Sequence, residues 1–246
     1  MVIDSWLVLA GLSRTQLTEL LRRLPAAARR GRPHARSLVH RVLLTCVALR
    51  TNLTLRELAA IAGIPRSTVH RIVASMTPRL AATMSVLHDR RAAWVLDGTL
   101  VPTRDHRRAA RSKNYRWSCN AQLLIRRRDL AIVAAVAGGP GNRNDPVHYR
   151  GSPIEALCRA HRRVLADGGY RGIQELCIPR FRGHRIVRDR RWRIHRRRTA
   201  RVEHAIARLK NWRVLRDHRR RGRHLDDTFR AVCALHNLQV EFRDNP

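Results

Sequence analysis

The sequence predicts a chain in two parts, an all-α region up to about residue 90 and an α/β region from residue 91 onward. Three observations lead there. Apolar residues recur at helical intervals through residues 13–80, short apolar runs of strand length replace them from Ala92, and helical periodicity returns after Thr199. A chain of 246 residues, 44% of them hydrophobic, can build one large core or two modest ones, which excludes fibrous and wholly disordered architectures.

Charge narrows the partner. Lys and Arg number 51 against 18 Asp and Glu, a formal net charge of +33. Self-repulsion on that scale calls for a polyanion or dense counterions, so nucleic acid is the expected partner. Only Lys113 and Lys210 of the 51 are lysines. A GC-rich coding sequence would produce part of that bias, so no arginine is assigned to a phosphate on numbers alone. The five cysteines, with no Cys-x-x-Cys pair, support neither a disulfide framework nor a zinc module, and a reducing cytoplasm is expected. No apolar run approaches the roughly 18 residues of a membrane span, and Trp6 to Leu12 lacks the basic flank of a leader.

In chain order, Ser13 is placed to cap a short helix that aligns Leu17, Leu20, Leu21 and Leu24. Arg29 to Arg36 combines Gly31 and Pro33 with dense charge and reads as a basic linker. Arg30 and Arg32 there have the look of a minor-groove arm, the plainer alternative being a solvated hinge. Three helices follow over 37–80. Thr54 and Glu57 form the capping box of the second, which stops at Gly63-Ile64-Pro65. The third opens with polar Arg66, Ser67, Thr68, His70 and Arg71, the helix-turn-helix plan in which those residues enter the major groove. A small helical cap without DNA contact is the alternative.

From Ala92 the pattern gives strands at Trp94 to Asp97, Ala121 to Ile125 and Ala131 to Ala137, the last two an antiparallel hairpin. A Gly/Asn/Pro loop over 138–146 leads to a helix at 153–161, and a fourth strand over 163–166 runs into Asp167. A helix over 199–215 places Glu203 and Lys210, seven residues apart, almost in register on a face next to its apolar one, and a last helix over 226–240 has the apolar stripe to pack back on the sheet. Asp97 and Asp167 thus end two strands, and Glu203 would join them if its helix packs alongside. Asp-Gly pairs are common turn formers, so either aspartate alone could be a turn residue. Three converging carboxylates would repel unless cations held them, and Mg²⁺ favours such hard oxygen ligands. Two such ions can serve in-line attack on a phosphodiester. Trp117, Trp192 and Trp212 lie among arginines and could stack on bases, with core packing the expectation for Trp212. Residues 180–223 carry 19 of the 51 basic residues, a poor core but a suitable floor for a DNA channel.

Leu96-Asp97-Gly98-Thr99, Ala166-Asp167-Gly168-Gly169-Tyr170 and the segment from Arg201 to Lys210, in that order behind a helix-turn-helix, resemble the DDE transposases of bacterial insertion sequences, in the group related to eukaryotic Harbinger elements. The resemblance implies a ribonuclease-H-like mixed sheet with flanking helices that cuts element ends and joins them to target DNA. It implies Asp97, Asp167 and Glu203 as catalytic, metal-binding residues for Mg²⁺ or Mn²⁺, two ions in number, and Lys210 as a DNA contact. Double-stranded DNA, a homodimer or larger synaptic complex, and a bacterial nucleoid setting follow as expectations, with no membrane. Gly168 stands where relatives often carry lysine, and no tyrosine opens the last motif. Asp145, in Asn144-Asp145-Pro146, matches an acid-containing loop of the group and competes with Asp167 for the second catalytic position. Asp167 is preferred because a strand end holds a ligand rigidly, leaving Asp145 as an accessory or DNA-contacting residue. The expected organisation is 1–36 N-terminal helix and linker, 37–90 helix-turn-helix domain and 91–246 catalytic domain. The alternative is an inactive relic that only binds DNA.

Overall fold

A computed structural model describes residues 3–26, 35–84, 91–112, 116–222 and 224–243. The proposed arm residues Arg30 and Arg32 lie outside the described residues. The chain opens with helix α1 (Ile3–Ala10), which the sequence pattern does not signal, and α2 (Arg14–Arg23), held by a capping box between Ser13 and Gln16. Three further helices follow: α3 (Leu38–Thr51), α4 (Leu55–Ala62) and α5 (Arg66–Ala81). Thr54 Oγ1 accepts the Glu57 N–H at 3.2 Å, and Glu57 returns the contact by accepting the Thr54 N–H at 2.6 Å. Gly63, at φ +60°, then ends α4 in a conformation that costs glycine little. Leu58, Val69, Val73 and Met76 bury the inner faces of this helical unit, leaving Arg66, Ser67, His70 and Arg71 exposed and Thr68 half-buried.

The α/β part is built on a mixed sheet. Strand β1 (Trp94–Pro102) pairs antiparallel with β3 (Trp117–Arg126) along its whole length. β3 also carries, on its other edge, the short β2 (Ala110–Arg111) and β4 (Ile132–Pro140). Helices α6 (Asp145–Tyr149) and α7 (Pro153–Arg159) lead into β5 (Val164–Leu165), which is parallel to β1 and to β6 (Leu176–Cys177). This is the ribonuclease-H-like order expected, with the strand that carries Asp97 and the strand that precedes Asp167 side by side. A two-stranded hairpin, β7 (Phe181–Arg182) and β8 (Arg185–Ile186), precedes the long α8 (Arg190–Leu209), and α9 (His224–Glu241) closes the described chain.

Alternation along β1 assigns its faces. Val95 and Val101 join Ala121 and Leu123 of β3 in a core beneath Val202, Ala205 and Leu209 of α8 and Phe229, Val232 and Leu235 of α9. Leu96 and Leu124 point the other way, into a smaller core with Tyr149, Ile154 and Tyr170. The first core continues without interruption into the helical region, because α9 packs on β4 with one side and on α5 with another.

Several boundaries correct the sequence-based expectation. β1 continues past Asp97-Gly98, and β4 reaches Pro140, since their backbones keep pairing with β3. α8 begins at Arg190 rather than Thr199, because Asp189 caps it and no residue of the arginine run breaks a helix. It ends at Leu209 with Lys210 as its C-cap, the chain then passing through a 3₁₀ turn at Arg213–Leu215. Asp145 does not trail a flexible loop but opens α6.

Candidate active site

The peptide N–H of Gly98 donates to Asp97 Oδ1 at 2.8 Å, fixing the first carboxylate at the middle of β1. Its register partner is Leu123, so Asp97 shares the face covered by α8. Asp167, just past β5, accepts the Gly169 N–H at 2.9 Å and caps the 3₁₀ turn Gly168–Tyr170. The imidazole Nε2–H of His195 donates to the Ala166 carbonyl at 2.8 Å, tying α8 to the strand end one residue before this aspartate. Glu203, more than three turns along α8, stays exposed while its neighbours Val202 and Ala205 are buried.

Electrostatics join these groups. Burial, followed by the charges of Asp167, Asp145 and Glu203, pushes the Asp97 carboxyl up to about 7. Asp167 lies at the surface, yet its carboxyl is also raised, first because surrounding chain crowds water from it and then by Asp145. Asp97 and Asp167 therefore both sit where neighbouring carboxylates disfavour their ionisation. Among the described residues, no three His, Cys, Asp or Glu side chains are arranged so as already to hold a metal ion. The donor set nevertheless suits one: hard carboxylate oxygens whose mutual repulsion a divalent cation would relieve.

Asp145 enters from the opposite side. Its Oδ1 accepts from Asn120 Nδ2 at 2.6 Å, and its carbonyl accepts from Gln122 Nε2 at 2.7 Å. Gln122 is the register partner of Gly98, and any side chain at Gly98 would run into the Asp145 carboxylate, its Cβ landing 2.6 Å from Cγ. Glycine at position 98 thus lets Asp145 press against β1 behind Asp97. Sequence reasoning missed this juxtaposition, for which the Asp97-Gly98 pair was the available signal.

Lys210 lies half-buried at the end of α8, its ammonium pKa lowered by burial and then by Arg216. It lines an open cleft of about 820 Å³ with Ala207, Arg116 and Arg216. Trp212 is core, with the Arg50 guanidinium over its ring. Trp117 stacks on His106, and Trp192 sits under two arginines. Arg66 and His70 of α5 border a cavity of about 510 Å³ whose floor includes Leu49, Leu58 and Val73, and whose far rim is Arg219 and Arg220.

Comparison with known proteins assigns both parts. Residues 42–79 match the IclR helix-turn-helix domain, spanning α3 to α5. A protein of Streptomyces albus G described as "Putative transposase for insertion sequence element IS112" is 40% identical over 250 residues, covering 96% of this chain and 95% of that relative. The helix-turn-helix and the family both point to DNA as the partner. Residues 96–237, more than half of the chain and the stretch that holds all four acids, match the model of the DDE superfamily endonucleases, and the chain belongs to that family.

Proposed function

We propose that the protein is a transposase that binds the ends of its own element and catalyses their cleavage and transfer to target DNA, with Asp97, Asp167 and Glu203 as its catalytic, metal-binding carboxylates. The observation that carries this reading is the placement of Asp97 on the face of β1 covered by α8, the helix that carries Glu203 and that His195 ties to the strand end just before Asp167. Support comes also from the relative described as an insertion-sequence transposase. Divalent metal chemistry is general for the family; Mg²⁺ or Mn²⁺, two ions in number, is proposed here. Bound metal would lower the barrier to in-line attack by water or a sugar hydroxyl and stabilise the leaving oxygen.

The chain's own residues prepare that chemistry. The Gly98 and Gly169 amides orient the two aspartates, and His195 fixes the strand end beside the second. Asp145, pinned by Asn120, supports β1 from behind rather than replacing Asp167. Arg66, Ser67, Thr68, His70 and Arg71 would read the element end in the major groove, and Lys210 would hold a phosphate near the acids. Two or more copies would pair the two ends.

The test is metal-dependent nicking of a labelled duplex carrying the element's ends. Asp97→Asn, Asp167→Asn and Glu203→Gln are each expected to abolish nicking at unchanged DNA affinity. Asp145→Asn is expected to lower it by about 10–100-fold, as changes to outer residues around a metal site do. Abolition by Asp145→Asn with activity retained in Asp167→Asn would reverse the assignment. Wild-type binding without nicking in either metal would leave a DNA-binding relic.

A further inference from the structure

Between Asp167 and Glu203 lies a segment of which the catalytic reading uses only His195. Residues 180–198 contain ten arginines, His184 and His195, and a single acid, Asp189. That acid is already engaged: its Oδ1 accepts the Trp192 N–H at 2.8 Å, and Oδ2 lies 3.7 Å from Arg180.

Two local arrangements in this segment run against the usual rules of charge placement, and a third gathers like charges. The β7–β8 register sets Arg182 directly opposite Arg185, and like charges in a cross-strand pair are destabilising. Arg190, Arg191 and Arg193 occupy the first turn of α8, where the helix dipole disfavours cations. Arg188 and Arg196 both lie over the one ring of Trp192, at 5.7 and 5.6 Å, an attraction that gathers two guanidinium groups around one side chain. The fold nevertheless holds this lobe in place. Phe181 and Ile186 close on Gly168, where an added Cβ would sit 3.3 and 2.9 Å from their terminal carbons, and Arg171 covers the outer face of Phe181. The hairpin is therefore anchored one residue from Asp167, with Arg182 and Arg185 turned to solvent.

One ligand relieves both conflicts and matches the arginines gathered at Trp192: a row of closely spaced phosphates, which guanidinium forks bind in bidentate fashion. We propose that the β7–β8 hairpin and the first two turns of α8 form a second DNA-binding surface, separate from the helix-turn-helix, that grips the phosphate backbone of duplex DNA beside Asp167 without regard to sequence. The proposal rests on the reading of the chain as a DNA-processing protein, but not on its cutting DNA.

The experiment is a salt titration of full-length protein binding to a labelled duplex of arbitrary sequence, with metal chelated. Each phosphate that a variant no longer neutralises should flatten the slope of log affinity against log salt by about 0.9. The Arg182→Gln, Arg185→Gln, Arg193→Gln variant is expected to flatten it by about two to three on that same scale, and Arg182→Lys, Arg185→Lys to leave it near wild type. Arg66→Ala, Arg71→Ala should reduce the preference for element ends while leaving at least half of the arbitrary-sequence slope. Thermal melting without DNA supplies an independent readout: the triple glutamine variant should melt at or above the wild-type temperature, since like charges have been removed. An unchanged slope in that variant, or a slope that disappears in Arg66→Ala, Arg71→Ala, overturns the proposal. Nicking of element ends by a wild type whose slope the triple variant does not change would sink the clamp and spare the nuclease. Tight, slope-dependent binding without nicking would do the reverse.

Discussion

His218 shows how a single buried side chain ties this fold to pH. It is 1% exposed, its Nε2 lies 3.3 Å from Thr228 Oγ1, and its Nδ1 meets no hydrogen-bond partner among the described residues. Burial first, and then the Arg220 and His224 charges, push its pKa down from 6.5 to about 4. The folded protein therefore holds it neutral where the unfolded chain would take up a proton. Its contribution is complete above pH 6.5 and is lost as the pH falls from there to about 4, with a slope of at most about 1.4 kcal/mol per pH unit. His218→Asn removes that titration. Urea midpoints measured at about pH 7 and about pH 4.5 should differ less for the variant than for wild type, and an equal difference would show that the imidazole is not the titrating group. At this same scale the sequence is informative about Asp97, Asp167 and Glu203, because each occurs in a short motif on or just past a strand or on a helix. The Asp97-Gly98 pair marks a close approach there but does not name Asp145 as the neighbour, which arrives only when α6 folds across β3.

Whole elements are legible where a period and a cap coincide. α4 illustrates this: Thr54, Glu57 and Gly63 mark both ends in the sequence, and the structure makes the corresponding bonds. Elements of two to five residues, such as α6, β2 and the β7–β8 hairpin, carry too few positions for a period to register, and their existence depends on a neighbour to pair with. The start of α8 escapes a sequence reading for a related reason, since its first turns present arginines where an apolar stripe would have signalled a helix. The capping box of α4 has a consequence for the helix-turn-helix it begins. Thr54→Ala leaves the Glu57 N–H without its partner and should cost about 1 kcal/mol, which in a chain of this size lowers the melting temperature by about 2–4 °C. Because α4 positions α5, preference for the element's ends over arbitrary DNA should fall with it. A variant that melts like wild type would mean that Thr54 does not cap α4 in solution.

Across the whole molecule, the helical region and the sheet are joined by one continuous core rather than by a flexible hinge. α9 lies between α5 and β4, with Phe229, Val232 and Leu235 fully buried. The 217–220 segment adds polar ties, Asn52 Nδ2 donating to the Asp217 carbonyl at 2.9 Å and Arg220 Nη1 to Thr77 Oγ1 at 3.3 Å. Periodicity foretells the stripe of α9 and its packing on the sheet but not its second contact, because a stripe specifies that a face is buried and not how many partners bury it. The packing joins the helix-turn-helix and the strands through one core, so that under the proposed function DNA held by α5 would be held at a fixed distance from Asp97. Phe229→Ala should cost about 3–5 kcal/mol, the usual penalty for emptying an aromatic site in a core. If the two parts unfold together, native-state hydrogen exchange should show protection falling by the same amount at buried amides of α3 and of β3. A fall confined to β3, with α3 keeping its wild-type protection, would mean that the helix-turn-helix is stable on its own and that its distance from the catalytic acids is not fixed by this core.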